Sequence, residues 1–247
     1  MNIQRIYSYF LATDLFSVYL YMANQDKDKY PTVPYESQDL NESEMLNKSK
    51  EFFTFMDQRR SVRDFADTPV PKEVVENIIM TASTAPSGAH KQPWTFCLIS
   101  NKELKSEIRK LAEEEEYKSY NGRMKEEWLK DLAPLGTDWQ KEFIEIVPWI
   151  IVVMKKPYDI VDGKKKNNYY VNESVGLAAG FLLAAIHNAG LVSLTHTPSP
   201  MNFLIKALNR PENERPFLLI PVGYPKKGAR VPDLKRKAKR EIIQYYE

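Results

Sequence analysis

A chain of 247 residues with 43% hydrophobic and 28% charged side chains can bury one sizeable core. Lys plus Arg number 35 and Asp plus Glu 33, so a net charge of +2 gives no global pull toward nucleic acid or an anionic membrane. The single cysteine, Cys97, excludes an internal disulfide and suits a reducing cytoplasm, and His90, His187 and His196 are too scattered for a metal site.

Residues 1–22 are rich in aromatics but interrupted by Arg5 and Asp14. That pattern fits neither a signal peptide nor a confident spanning helix, and leaves a soluble protein whose N-terminal segment is at most a weak, membrane-peripheral anchor. Residues 23–45 form a polar connector containing Pro31 and Pro34, and the compact part is expected to begin near Ser43. This divides the chain into residues 1–42 and a domain over 43–247.

From there the elements alternate. Residues 43–58 read as a helix with Met45, Phe52, Phe55 and Met56 as its apolar stripe. Pro71 is placed to open a second helix, which carries Val74, Val75, Ile78, Ile79 and Ala82 on one face. A loop bracketed by Pro86 and Pro93 leads into a strand over 94–100, in which Cys97 is a buried residue. Residues 101–131 look mostly helical and heavily charged, and within them Glu113, Glu114 and Glu115 read as a solvated face. Short apolar runs at 149–154, 191–195 and 217–222 suit buried strands. Residues 174–195 carry no charge, and a stop at Asn188 and Gly190 makes them a helix of about 15 residues, buried in the core or in a subunit interface. Residues 226–240 hold eight basic side chains against Asp233 and read as a solvated tail rather than a polyanion site. Helices alternating with about four short buried strands give an α/β or α+β sandwich.

Candidate chemistry is confined to a few segments. Only nine glycines are present, and neither G-x-G-x-x-G nor G-x-x-x-x-G-K-[ST] occurs, so no backbone phosphate cradle of those kinds exists. A phosphorylated cofactor would have to meet side-chain cations. R-R-S-V-R at 59–63 supplies three forked donors, Arg59, Arg60 and Arg63, with the hydroxyl of Ser61. T-A-P-S-G-A-H-K-Q-P-W at 84–94 is a loop of small residues whose N–H groups could meet a flat ligand, or a plain helix-to-strand connection. Ser87-Gly88 does not fit G-x-S-x-G, which argues against a hydrolase.

Taken with T-H-T-P at 195–198 and V-G-Y-P followed by V-P-D-L-K-R-K at 222–237, these motifs resemble the nitroreductase superfamily of FMN enzymes, and within it the branch that acts on iodotyrosines. The resemblance covers about residues 43–240. It implies an α+β sandwich with a central, mostly antiparallel sheet flanked by helices, assembled as an intertwined homodimer with FMN in the interfaces. A helical lid would span about 101–141 and a C-terminal arm about 223–247. It further implies that Arg59, Arg60, Ser61, Val62 and Arg63 contact FMN, with Arg59 and Ser61 on the phosphate and Arg63 near the pyrimidine edge, where a cation favours the anionic reduced flavin. Arg236 would add a second phosphate contact, and Ser87 a contact across the dimer. Thr195, His196 and Thr197 would line the flavin, the Thr197 hydroxyl donating to N5, which favours stepwise one-electron transfer over hydride transfer.

The substrate side follows from the same resemblance. Ala89 would offer its backbone N–H to the phenolate. Glu116 would accept the ammonium of a free halotyrosine, Lys141 would pair its carboxylate, and Tyr120, four residues after Glu116 on one helical face, would cover the ring. The implied activity is reductive dehalogenation of 3-iodo- and 3,5-diiodo-L-tyrosine. Electrons would come from a separate NAD(P)H-dependent reductase, and no nucleic acid is involved. Two other readings are a broad-specificity nitroreductase or flavin reductase, and a non-catalytic FMN-dependent binding protein.

Overall fold

The computed structural model describes residues 30–247, so the expectations for residues 1–22 lie outside the described residues. The chain divides into two compact units, Met1–Glu51 and Phe52–Glu247. Helix α1 (Glu42–Asp57) runs across the division. It starts at a capping box: Asn41 Oδ1 accepts from the Glu44 N–H at 3.0 Å, and Glu44 Oε2 accepts from the Asn41 N–H at 2.9 Å. None of its residues is buried, and the expected stripe is only half realised: Phe55 and Met56 are half-buried, while Met45 and Phe52 are exposed.

The larger unit continues with α2 (Lys72–Ser83), β1 (Trp94–Ile99), α3 (Lys102–Lys118), α4 (Glu126–Leu132), α5 (Phe143–Ile146), β2 (Trp149–Lys155), β3 (Tyr158–Val161), β4 (Lys164–Asn167), α6 (Val171–Asn188), β5 (Val192–Ser193), α7 (Phe203–Ala207), β6 (Arg215–Gly223) and α8 (Lys239–Ile242). Four strands form one sheet in the order β1-β2-β6-β5, and every neighbouring pair is antiparallel. The architecture is therefore α+β, which resolves the alternative that the apolar runs alone left open.

The sheet separates two cores, and β2 shows why. Ile151 and Val153 face one layer with Val75, Ile78 and Ala82 of α2 and Val175, Ala178, Leu182 and Ile186 of α6. Ile150, Val152 and Met154 face the other, with Ile108 and Ala112 of α3, Ile144 of α5 and Leu204 of α7. A strand covered on both faces must be apolar at successive positions, so W-I-I-V-V-M shows no alternation. Helix α6 is buried along one side only; Gly176, Leu177, Gly180 and Phe181 are exposed on the other.

The hairpin β3–β4 was not expected. Its turn, Asp162-Gly163, has both residues in the left-handed region (φ 52° and 71°), the pairing typical of a two-residue hairpin turn. The D-G signal was present in the sequence, but the flanking K-K-K-N lacks the apolar alternation that normally marks a strand. Among the described residues, no helix is long and apolar enough to cross a membrane.

Candidate active site

The R-R-S-V-R segment leaves α1 as extended chain and lies alongside β5: Ser61 bridges Ser193 in parallel, and the Val62 N–H donates to the Ser193 carbonyl at 3.1 Å. Extended backbone turns successive side chains to opposite sides, so Val62 is buried while Arg59, Ser61 and Arg63 stay half-buried. Arg236 reaches in from the C-terminal arm, donating to Asp57 Oδ1 at 2.7 Å and to the Arg59 carbonyl at 3.0 Å. Arg60 donates to the Pro232 carbonyl of the same arm. Burial, then repulsion from Arg236 and Arg60, lowers the Arg59 pKa from its ordinary value. Among the described residues no carboxylate pairs with Arg59. Arg59, Arg60, Val62, Leu183, His187 and Ser193 border a cavity of about 190 Å³.

Arg63, at the far end of the segment, belongs to a second cluster. Burial lowers its pKa and the Tyr120 hydroxyl opposes that shift. Helix α3 brings Glu116 to this point, and Tyr120 follows in the π-type turn Ser119–Arg123 that ends it. Glu116 Oε2 lies 3.4 Å from Lys141 Nζ, and both side chains are buried. The Lys141 ammonium also donates to the Asp138 carbonyl and stands 5.6 Å from the centre of the Tyr120 ring. The Tyr120 hydroxyl donates to the Thr137 carbonyl at 3.3 Å. Burial pushes the Glu116 carboxyl up and the Lys141 ammonium down, each shift opposed by the partner's charge. Arg63, Thr137 and Asp138 border a wide cavity of about 1240 Å³.

The neighbours of Glu116 correct one expectation. Only Glu114 of the preceding three carboxylates is exposed; Glu113 and Glu115 are half-buried. Glu115 pairs with Lys118 at 2.9 Å and Arg123 at 2.6 Å. Glu113 Oε1 accepts from Arg109 Nε at 2.8 Å and from the Lys141 N–H at 2.7 Å. The loop carrying Lys141 folds back onto α3, a long-range contact that a run of four glutamates does not disclose.

Thr195 and Thr197 are exposed, while His196 between them points inward. The His196 N–H and carbonyl pair with Leu219 of β6 at 2.9 and 3.0 Å, which imposes strand-like alternation on the loop. The ring therefore leaves the face shared by the two threonines and meets Phe143 edge-on at 5.6 Å. Its Nε2 is buried with no hydrogen-bond partner among the described residues, and burial, with repulsion from Lys141 and Arg63, lowers its pKa to about 3.

The Ser87–Gln92 loop sits elsewhere in the chain, on the start of α6. The Gly88 N–H donates to Ser174 Oγ at 3.2 Å, and Ser87 Oγ accepts from the Gln92 N–H at 2.9 Å. A Cβ at Gly88 would lie 2.8 Å from the Tyr169 carbonyl oxygen, so glycine is required by close approach. Ala89, His90 and Gln92 all adopt left-handed backbone (φ 49°, 53° and 46°), a concentration of strain of the kind that marks ligand loops. One chain thus brings Arg59 to Arg60 and Arg236, and Arg63 to Glu116, Tyr120, Lys141 and His196. Ser87 and Ala89 form a third group.

The Nitroreductase family model matches residues 56–224, and the chain belongs to that family of oxidoreductases. At 62% identity over 221 residues it resembles the iodotyrosine deiodinase of Haliscomenobacter hydrossis, covering 89% of this chain and 100% of that one. The human iodotyrosine deiodinase 1 is 42% identical over 233 residues, covering 91% of this chain and 81% of the relative. A crystal structure of oxidized iodotyrosine deiodinase bound to FMN and 3-iodo-L-tyrosine superimposes with a TM-score of 0.67 at 29% identity, covering 79% of this chain and 99% of that one. The chain belongs with the iodotyrosine deiodinases.

Proposed function

We propose that the chain is an FMN-dependent reductive dehalogenase of halotyrosines, converting 3-iodo- and 3,5-diiodo-L-tyrosine to tyrosine and iodide. The observation that carries this reading is the buried Glu116–Lys141 pair with Tyr120 beside it. An α-amino acid presents an ammonium and a carboxylate a few ångströms apart. Glu116 accepts the first, Lys141 pairs the second, and Tyr120 covers the ring. A ligand without both charges leaves one member of the pair desolvated and unmatched.

The residues also fit FMN. Arg59 is held close to Arg60 and Arg236 and pairs with no carboxylate among the described residues, a deficit that a phosphate dianion with Ser61 would fill. Arg63 and Val62 would lie along the flavin, with Thr195 and Thr197, whose side chains are free at the surface, and Thr197 would donate to N5. His196, turned inward, would act from behind that face. FMN, when bound, supplies electrons singly, so that each halogen is replaced by hydrogen with two electrons and one proton and leaves as halide. The residues of the chain orient the phenol and exclude water, the segment over about 101–141 serving as the lid.

Ser87 and Ala89 would serve the site of a second copy. The exposed, uncharged strip Gly176, Leu177, Gly180 and Phe181 on α6 supports a homodimer: among the described residues, a Cβ at Gly176 or Gly180 would touch nothing. Electrons reach the flavin from a separate NAD(P)H-dependent reductase, since the sequence holds no dinucleotide fingerprint. The single thiol, Cys97, suits a reducing cytoplasm. The test is to mix the reduced, FMN-loaded protein with iodotyrosine under anaerobic conditions. Flavin reoxidation with stoichiometric iodide supports the reading; binding without iodide release overturns it. Thr197→Ala should lower dehalogenation and raise nitro-group reduction.

A further inference from the structure

Glu113 and Glu116 grip the two ends of Lys141. They lie three apart on α3, hence on one face. Glu116 meets the ammonium at 3.4 Å, while Glu113 Oε1 accepts the backbone N–H of the same lysine at 2.7 Å. The Glu113 carboxylate is itself fixed by Arg109 Nε at 2.8 Å, and Arg109 Nη1 reaches Glu145 Oε2 on α5 at 3.1 Å. A lysine side chain has four rotatable bonds, and its ammonium is only as well placed as its backbone. Lys141 ends a loop that includes Gly136 and leads into α5, whose Ile144 N–H donates to the Lys141 carbonyl at 3.0 Å, so on the loop side only the Lys141 N–H is left to be fixed. The Glu113 bond supplies that fixation from the helix that carries the other half of the pair.

We propose that Glu113 is a positioning residue for amino-acid recognition: by holding the Lys141 backbone it keeps the ammonium in register with Glu116, ready for a substrate carboxylate. The proposal rests on the reading of Lys141 as the carboxylate partner. Because Arg109, Glu113, Glu116 and Lys141 are tied together, the charge spacing is set by α3, which Ile108 and Ala112 anchor in the core.

The FMN-loaded enzyme is titrated with iodotyrosine, which has the carboxylate, and with 2-iodophenol, which lacks it, following flavin fluorescence. Glu113→Ala should weaken iodotyrosine binding about tenfold and leave 2-iodophenol within about twofold, since an unpaired buried N–H frees the loop. Glu113→Gln keeps an acceptor for the Lys141 N–H and should restore most of the affinity. In the Lys141→Met background, Glu113→Ala should cost nothing further for iodotyrosine. Equal weakening of both ligands, or an additive loss on top of Lys141→Met, makes Glu113 merely structural and overturns the proposal. Unchanged iodotyrosine binding in Glu113→Ala overturns it as well. If Lys141→Met itself leaves the preference for iodotyrosine intact, the carboxylate reading fails first, and that outcome is separate from a failure at Glu113 alone.

Discussion

Glu116 Oε2 and Lys141 Nζ lie 3.4 Å apart with 9% and 3% of their side chains exposed. Two charges withdrawn from water are held by one contact and a backbone carbonyl from Asp138, a poor exchange for stability. The pair makes sense as a recognition device. Replacing one partner strands the other: Glu116→Leu alone or Lys141→Met alone should cost about 3 kcal/mol in urea unfolding, while the double variant should be neutral or more stable than wild type. All three should lose the preference for iodotyrosine over 2-iodophenol. A double variant as unstable as the singles would show that the pair serves the fold.

Arg59 invites a test in which fold and cofactor respond with opposite signs. Burial and the nearby Arg236 and Arg60 already disfavour its charge. Arg59→Gln should therefore leave the flavin-free protein as stable as wild type or slightly more so. The same change should weaken FMN binding by about tenfold or more, through loss of a charge-assisted contact to phosphate. Thermal melts with and without FMN, alongside equilibrium dialysis, read both effects. A variant that melts earlier without FMN and binds it normally would falsify the assignment of Arg59 to the phosphate.

Most elements were legible because each carries a local cause. Pro71 before V-V-E-N-I-I, and the unbroken apolar runs at 149–154 and 217–222, declare helix and buried strands without reference to anything distant. The segments of the site were legible for a different reason, as a set of short motifs in a fixed order. What stayed hidden depends on long-range packing. Glu113 is distinguished from Glu114 only by a loop 28 residues further on that brings the Lys141 N–H to it. His196 differs from Thr195 and Thr197 only through its pairing with Leu219, which decides the side each faces. The basic run at 226–240 looked like a solvated tail, yet Arg236 is tied to Asp57 and Arg59 across 179 and 177 positions.

The buried His196 should make the protein sensitive to mild acid. Its pKa is lowered to about 3, so the unfolded chain takes up a proton near pH 6.5 while the folded protein does not. The stability it contributes is complete above about pH 6.5 and is lost as pH falls toward 3. Between pH 7 and 5 this amounts to about 2 kcal/mol, or a fall of about 4–8 °C in Tm for a domain of this size. The groups that disfavour the imidazolium are Lys141 and Arg63, and Phe143 offers it no charge partner. His196→Asn removes the titration and should flatten Tm against pH across the same interval. A wild-type profile already flat there, or an unchanged slope in the variant, counts against a neutral buried imidazole.

Gly176 and Gly180 stand in the interior of α6, where each is less favourable than alanine by about 1 kcal/mol. Among the described residues nothing requires them to be small, because a Cβ at either position would meet no atom within 4 Å. Leu177 and Phe181 beside them are 48% and 41% exposed, an apolar strip on the side of the helix turned away from the core. A second copy of the chain accounts for both facts, since small residues let two helices approach while Leu177 and Phe181 pack across the contact. In a monomer, leucine at both glycines should raise Tm through helix propensity alone. In a homodimer packed through this face it should hold the helices apart, convert the protein to monomer in sedimentation velocity and weaken FMN retention, because the proposed contact of Ser87 with the second copy's flavin would be lost. A double Gly176→Leu, Gly180→Leu variant that remains dimeric and flavin-loaded would remove this face of α6 from the interface.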